Sequence, residues 1–106
     1  MKRYEIRWAR LDPAQGSEMA RTRPVIIVSL DELNARLPTV TICPLTTTVH
    51  SNWRGRLPVT VDGRPAEIAV DQIRTVSKSR LGQRVGVLST PKAATLRRII
   101  TEMYGT

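Results

Sequence analysis

Four consecutive β-branched residues, Val25-Ile26-Ile27-Val28, constrain the fold of this chain more than any other stretch of its sequence. An unbroken run of this kind predicts a strand that is buried on both faces. Arg23-Pro24 directly precedes the run, and a proline holds the residue before it in extended geometry. The side chain of Arg23 is therefore expected where a loop joins a rigid strand, either binding an anion or simply solvated.

Turn residues and apolar segments elsewhere predict a mainly β fold. Asp62-Gly63 separates two such segments and predicts a tight hairpin. A short helical turn is expected at residues 31–36, and Pro38 would stop it. Strands are expected at residues 4–11, 24–29, 39–44, 57–61, 66–70 and 84–88, with a further strand within residues 71–76. In the first strand, alternation places Ile6 and Trp8 on one side.

The C-terminal segment predicts an amphipathic helix. Ser89 or Thr90 can cap it, and Pro91 is tolerated in its first turn. Its apolar side chains share one face that would pack on the sheet: Ala93, Leu96, Ile99, Ile100 and Met103. The 106-residue chain is thus expected to form one domain, residues 1–106, built as a strongly bent antiparallel sheet or a partly open barrel.

The charge balance predicts an acidic partner. The chain has 17 Lys and Arg against 9 Asp and Glu, a net charge of +8. Such a basic fold attracts nucleic acid, an acidic protein or an anionic membrane. Arg outnumbers Lys by 14 to 3, and planar guanidinium groups suit phosphate contacts, although a GC-rich genome would produce the same bias.

The cysteine and histidine content argues against a disulfide framework and a zinc site. Cys43 is the only cysteine and lies in an apolar segment, so a buried, inert thiol is expected. The single His50 has no cysteine partner at a zinc-binding spacing. Without an apolar run of membrane-spanning length or a signal-peptide pattern, the chain is expected in the cytoplasm.

Six segments, in order and spacing, resemble the MazF/PemK toxins of bacterial toxin–antitoxin systems. They cover most of the chain: LDPAQGSE at residues 11–18, RPVIIVS at 23–29, LNARLPTV at 33–40, PLT at 44–46, DQIRTVSKSRLG at 71–82 and VGVLS at 85–89. The resemblance implies an SH3-like or CcdB-like small barrel that forms a homodimer. It also implies metal-independent, cofactor-free cleavage of single-stranded RNA at short motifs, leaving 2′,3′-cyclic phosphate and 5′-hydroxyl ends and inhibiting translation and growth.

The resemblance assigns catalysis to Arg23 of the RP motif and Thr46 of the PLT motif. An always-protonated Arg can stabilise the charge that builds up on phosphate when the ribose 2′-hydroxyl attacks it. A threonine hydroxyl can hold the phosphate in line for that attack. Because the attacking group is the 2′-hydroxyl, the expected substrate is RNA rather than DNA.

Two departures from the family pattern limit what the resemblance implies. In the PemK branch a His, an Arg and an Asp are catalytic, but Ser17 and Ala69 stand at the first two positions here and only Asp71 matches. The Arg23/Thr46 mechanism is therefore preferred over acid–base catalysis. At the N-terminus the usual Gly is lost and Arg7 stands where an aromatic residue is expected, which affects the local strand edge and the dimer contact.

The residues around the two catalytic positions are predicted to bind RNA. In the loop after Thr46, Trp53 can stack on an unpaired base or, alternatively, cover the end of the barrel. His50 is interpreted as a solvent or RNA contact rather than the general base. Glu18 can accept a hydrogen bond from a cytosine amino group. The predicted RNA-binding set is Ser17, Glu18, Thr47, Trp53, Arg54, Arg56, Asp71, Gln72 and Arg74.

The resemblance also implies a partner, a MazE-like antitoxin whose disordered acidic C-terminal tail would lie in the basic groove. Two other functions stay open at this point. One is a gyrase-poisoning binder like CcdB, in which the RP and PLT motifs would have no known purpose. The other is a non-catalytic basic module, which would bind nucleic acid in a salt-dependent way and leave it intact.

Overall fold

The computed structural model describes residues 1–11, 21–50 and 52–105, with Arg21 described by its backbone alone. These residues form seven strands and two helices: β1 (Glu5–Leu11), β2 (Arg21–Ile27), α1 (Asp31–Arg36), β3 (Thr39–Thr46), β4 (Arg56–Val61), β5 (Arg64–Ala69), β6 (Arg74–Ser77), β7 (Leu81–Val87) and α2 (Thr90–Tyr104). The predicted mainly β fold with a C-terminal helix is confirmed.

The strands form a curled antiparallel sheet in the order β4-β5-β3-β2-β1-β7, with β6 also paired to β3. Strand β3 changes its partner along its length. Residues 39–42 pair with β6, whereas Leu45 and Thr46 pair with Ile68 and Glu67 of β5. A strand that exchanges neighbours in this way makes a corner in the sheet. The β4–β5 hairpin is therefore attached near the end of β3 where Thr46 lies.

Strand β2 is buried on both faces, as its β-branched run predicts. Ile26 and Val28 belong to the larger core cluster, which also contains Leu96 of α2. Val25 and Ile27 belong to a second cluster on the other face. Successive side chains of a strand point to opposite faces, so β2 links both cores and holds its first residues rigidly.

Helix α2 begins as the sequence predicts. The Ser89 hydroxyl accepts a hydrogen bond from the Lys92 N–H at 3.4 Å, and Pro91 lies in the first turn. Ala93 and Leu96 are buried against the sheet. Among the described residues, no helix combines the length and the apolar character needed to cross a membrane.

The structure differs from the sequence prediction at several element boundaries. The last strand starts at Leu81 rather than residue 84. Pairing with β1 extends it toward the N-terminus over residues that show no alternating apolar pattern. Residues 70–72 form a 3-10 turn before β6. Ile6 is buried while Trp8 is exposed, since the pairing of β1 with β7 shifts register between these residues. Local alternation cannot anticipate such irregularities.

Cys43 is expected to resist alkylation in the folded protein. Its side chain is fully buried, and burial together with the nearby negative charge of Asp71 raises the pKa of the thiol to about 12. Because the thiolate is the nucleophile, iodoacetamide at pH 8 should leave Cys43 unmodified until urea unfolds the chain. Mass spectrometry of the two samples measures this, and modification of the folded protein at the rate of the unfolded one would contradict the buried position.

Candidate active site

The structure brings Arg23 and Thr46 to one end of the sheet. Strands β2 and β3 pair Val25 with Pro44 and Ile26 with Cys43, and Arg23 and Thr46 each lie two residues beyond the end of this paired segment. Both side chains line one pocket of about 470 Å³. Two residues that lie far apart in the sequence therefore face a common space.

Arg23 is half-buried at the wall of this pocket. Its backbone is paired with Ala9 of β1, and Pro24 follows it directly. Within the described part of the chain, no carboxylate forms an ion pair with Arg23. A guanidinium held on a rigid strand at the wall of a pocket favours an anion such as phosphate.

Thr46 has an oriented hydroxyl. Its Oγ1 accepts a hydrogen bond from the Thr48 N–H at 3.1 Å, which forms a tight turn just after β3 ends. A hydroxyl has one proton to donate as well as two lone pairs. The proton of Thr46 therefore remains available for a phosphate oxygen in the pocket.

A buried ion-pair network lies beside Thr46, on the strand paired with it. Glu67 is directly opposite Thr46 in the β3–β5 pair, and its side chain is only 1% exposed. Its Oε1 lies 3.6 Å from Nη1 of Arg56, whose side chain is 4% exposed. The Arg56 Nε also donates to Asp71 Oδ1 at 2.8 Å. A charge this deeply buried is tolerated because it is paired.

Arg56 therefore points inward, toward two carboxylates. The sequence predicts a phosphate contact for this residue. To make that contact, the guanidinium would have to leave both Glu67 and Asp71. In the structure Arg56 instead ties the start of β4 to β5 and to the following 3-10 turn.

The same network anchors the loop that follows Thr46. The His50 N–H donates to Glu67 Oε1 at 2.8 Å. The imidazole of His50 stacks on the Trp53 ring with 3.7 Å between centroids and 5° between planes. The Arg56 guanidinium carbon lies 5.0 Å from the Trp53 ring centroid. Glu67, His50, Trp53 and Arg56 thus form a closed circuit of contacts, which we call the loop anchor.

Trp53 is 49% exposed, and it lines a small pocket against α2 together with Arg54. This pocket has a volume of about 160 Å³ and, among the described residues, shares none with the Arg23–Thr46 pocket. With the His50 imidazole stacked on its ring and the Arg56 guanidinium also over it, Trp53 is held in one orientation rather than being a flexible side chain.

The other predicted residues are distributed unevenly. Thr47 lines the Arg23–Thr46 pocket. Gln72 and Arg74 are exposed, on the 3-10 turn and on β6. Ser17 and Glu18 lie outside the described residues. Within residues 1–11, 21–50 and 52–105, no three His, Cys, Asp or Glu side chains gather in an arrangement that could hold a metal ion.

The sequence interpretation assigned no role to Glu67, although a signal for it exists. A single carboxylate between Ala66 and Ile68, inside an otherwise apolar strand, indicates a buried charge that needs a partner. The identity of that partner, Arg56, depends on the pairing of β4 with β5 and could be read only from the structure.

Comparisons with known proteins give a consistent set of relatives. A family model described as the PemK-like, MazF-like toxin of type II toxin–antitoxin systems matches residues 2–104. The chain is 31% identical over 113 residues to Endoribonuclease MazF of Staphylococcus saprophyticus, covering 99% of this chain and 92% of the relative.

Two solved structures are similar over nearly the whole chain. The Mycobacterium tuberculosis toxin MazF-mt6 superposes with a TM-score of 0.80 at 26% identity, covering 94% of this chain and 95% of that one. An endoribonuclease from a mycobacterial species, solved in complex with its cognate antitoxin, gives a TM-score of 0.82 at 20% identity, covering 99% and 95%. At 20% identity the second likeness concerns the fold alone.

Proposed function

The chain belongs to the family of PemK-like, MazF-like toxins of type II toxin–antitoxin systems, and from that premise we propose that it cleaves single-stranded RNA at short sequence motifs without a metal ion. It is thus a MazF-like endoribonuclease toxin. The observation that carries the finer proposal is the single pocket lined by both Arg23 and Thr46. Cleavage by this protein would inhibit translation and growth.

In the proposed reaction, the ribose 2′-hydroxyl attacks the adjacent phosphorus. The bond from phosphorus to the 5′-oxygen breaks, leaving a 2′,3′-cyclic phosphate and a 5′-hydroxyl; the 2′-hydroxyl loses one proton and the departing 5′-oxygen takes one up, so the protons balance. Arg23, through its guanidinium charge, stabilises the charge that grows on the phosphate oxygens. Thr46 donates a hydrogen bond from its hydroxyl to one of these oxygens and keeps the phosphate in line with the attacking group.

The remaining predicted residues are proposed to hold the strand on either side of the cleaved bond. Trp53 offers a stacking surface and Arg54 a cation beside it, while Thr47 lies in the pocket itself. Gln72 and Arg74, with Ser17 and Glu18, complete the proposed RNA-binding set. Arg56 and Asp71 contribute by holding each other in place, because each is the other's hydrogen-bond partner.

The proposed partners are a second copy of the chain and an antitoxin. A mycobacterial endoribonuclease of the same fold was solved with its cognate antitoxin. For this chain we expect a MazE-like antitoxin, whose acidic C-terminal tail would compete with RNA for the basic groove in the cytoplasm. The net charge of +8 favours such a tail, which would become ordered on binding.

A digest of a long single-stranded RNA in EDTA tests the proposal. We expect fragments whose ends fall at one recurring short motif, with 5′-hydroxyl ends that accept a kinase label directly and cyclic phosphates at the other ends. A DNA strand of the same sequence should stay intact, because it lacks the attacking hydroxyl.

Two results would contradict the proposal. RNA that is bound in a salt-dependent way and never cut would favour a non-catalytic binding module. RNA that stays intact while the expressed protein still stops growth would favour a gyrase-poisoning mode of action, and gyrase would be assayed next.

A further inference from the structure

Trp8 is a large apolar side chain that the fold leaves exposed. It lies within β1, opposite Pro24 of β2, and is 39% exposed. The core clusters of the described residues do not include it, although its strand neighbours Ile6 and Ala9 are buried in them. An indole held on a rigid strand and open to solvent is a common contact surface in binding sites.

Trp8 lines a pocket of about 410 Å³. The wall across from β1 comes from the β4–β5 hairpin and includes Val61, Arg64 and Pro65. The Asp62-Gly63 turn, with φ of 50° and 74°, closes this hairpin tightly and fixes the position of Arg64. The pocket therefore has an aromatic and aliphatic interior, with the guanidinium of Arg64 and the carboxylate of Asp62 at its side.

This pocket adjoins the Arg23–Thr46 pocket. The two share three lining residues, Pro24, Thr47 and Ala66. Pro24 follows Arg23 directly, and Thr47 follows Thr46, so two of the three shared residues are bonded to a proposed catalytic residue. A ligand that fills one pocket is thus in reach of the other.

We propose that the Trp8 pocket binds one unpaired base of the RNA, next to the phosphate held by Arg23 and Thr46. The inference rests on the proposed RNA cleavage and deepens it. A nucleobase is flat and aromatic, and it stacks on indole whatever its identity. Arg64 can contact the base edge or the neighbouring phosphate. The continuity of the two pockets favours this occupant over an apolar protein segment, and so do the two polar side chains at the rim, because Arg64 can donate to a base edge and Asp62 can accept from a base amino group.

Intrinsic fluorescence tests the pocket directly. The chain has two tryptophans, so the Trp53→Phe variant reports on Trp8 alone. The probe is the RNA motif identified in the digest, with a 2′-deoxy residue at the attacking position so that it binds without being cut. We expect Trp8 fluorescence to be quenched as this RNA binds, with the same Kd that anisotropy of the labelled RNA gives. An RNA with an abasic site at the flanking position should bind without the quench.

Kinetics give a second readout that a merely structural role would not produce. Trp8→Ala should raise KM about 5- to 100-fold, the loss expected for one stacked base, and leave kcat unchanged. Trp8→Phe should restore most of the affinity, because it keeps an aromatic face. The matched control is Leu33→Ala. Leu33 is also an exposed apolar side chain, but it lies on α1, away from both pockets, so this variant should leave KM and the cleavage sites unchanged.

Three outcomes would overturn the base pocket while RNA cleavage still stands. The first is RNA binding with no change in Trp8 fluorescence. The second is a Trp8→Ala variant with the KM and the cleavage sites of the original protein. The third is unchanged KM together with a smaller assembly in sedimentation, since Trp8 would then contact a second copy. If the original protein cuts no RNA at all, the result contradicts the proposed function, RNA cleavage, on which the base pocket rests.

Discussion

Arg23→Ala is expected to slow RNA cleavage by about 10²–10³-fold, the usual loss when one preorganised donor to a developing oxyanion is removed. Arg23 lines the pocket with Thr46, and its backbone is fixed by pairing with β1 and by Pro24. The rate of a single turnover at saturating enzyme is the appropriate measurement. Under these conditions weaker RNA binding does not contribute to the loss.

Conservative and matched variants sharpen this prediction. Arg23→Lys keeps the charge but loses the planar fork, so it should recover only part of the rate. Thr46→Ala should also be slow, by a smaller factor, because a neutral hydroxyl contributes less than a charged donor. Arg98→Ala removes the same charge from an exposed position on α2 and should cleave normally. Normal cleavage by Arg23→Ala would exclude the proposed mechanism.

Glu67→Ala is expected to destabilise the protein by about 1–3 kcal/mol, since it leaves the buried Arg56 with Asp71 as its remaining carboxylate partner. The variant also removes the acceptor of the His50 N–H, so the loop anchor opens at two contacts. For a domain whose free energy of unfolding is about 5–15 kcal/mol, this is a large share. A lower midpoint of urea unfolding measures this loss of stability, provided that the dependence of the free energy of unfolding on urea concentration is unchanged.

Two further variants distinguish an ion pair from simple packing. Glu67→Gln keeps an acceptor for the His50 N–H and loses only the charge. Its urea-unfolding midpoint should therefore lie between those of the original protein and Glu67→Ala. Replacing both partners, with Arg56→Met and Glu67→Leu together, should restore much of the stability, because no buried charge is left unpaired and Asp71, which also loses Arg56, is 33% exposed. Glu102→Ala breaks an exposed pair with Arg98 and serves as the control with little effect. An unchanged midpoint in Glu67→Ala would contradict the network.

The secondary structure of this chain is largely predictable from sequence because its apolar pattern is strong. The β-branched run of β2 and the apolar face of α2 are each specified by residues close together in sequence. The structure confirms both. The start of β7 is not so specified. It depends on pairing with β1, through two register shifts that no local pattern encodes.

The candidate site is predictable in part. Motif order identified Arg23 and Thr46, and the β2–β3 register explains how they come to line one pocket. Arg56 is different, because a cation in a loop is most simply interpreted as solvated or phosphate-binding. Only the fold brings the buried Glu67 to it from the next strand. The roles proposed for individual residues stay predictions until cleavage is measured.

The change of partner along β3 has an evolutionary consequence. The β4–β5 hairpin joins the rest of the sheet through two residue pairs of β3, Leu45 with Ile68 and Thr46 with Glu67. Under the proposed mechanism, this hairpin supplies one wall of the base pocket, whereas Arg23 belongs to β2. Exchange or drift of a single hairpin could thus alter which RNA sequence is chosen and leave the cutting chemistry intact. Under that mechanism, changes confined to this hairpin would alter the target sequence without any change in the core.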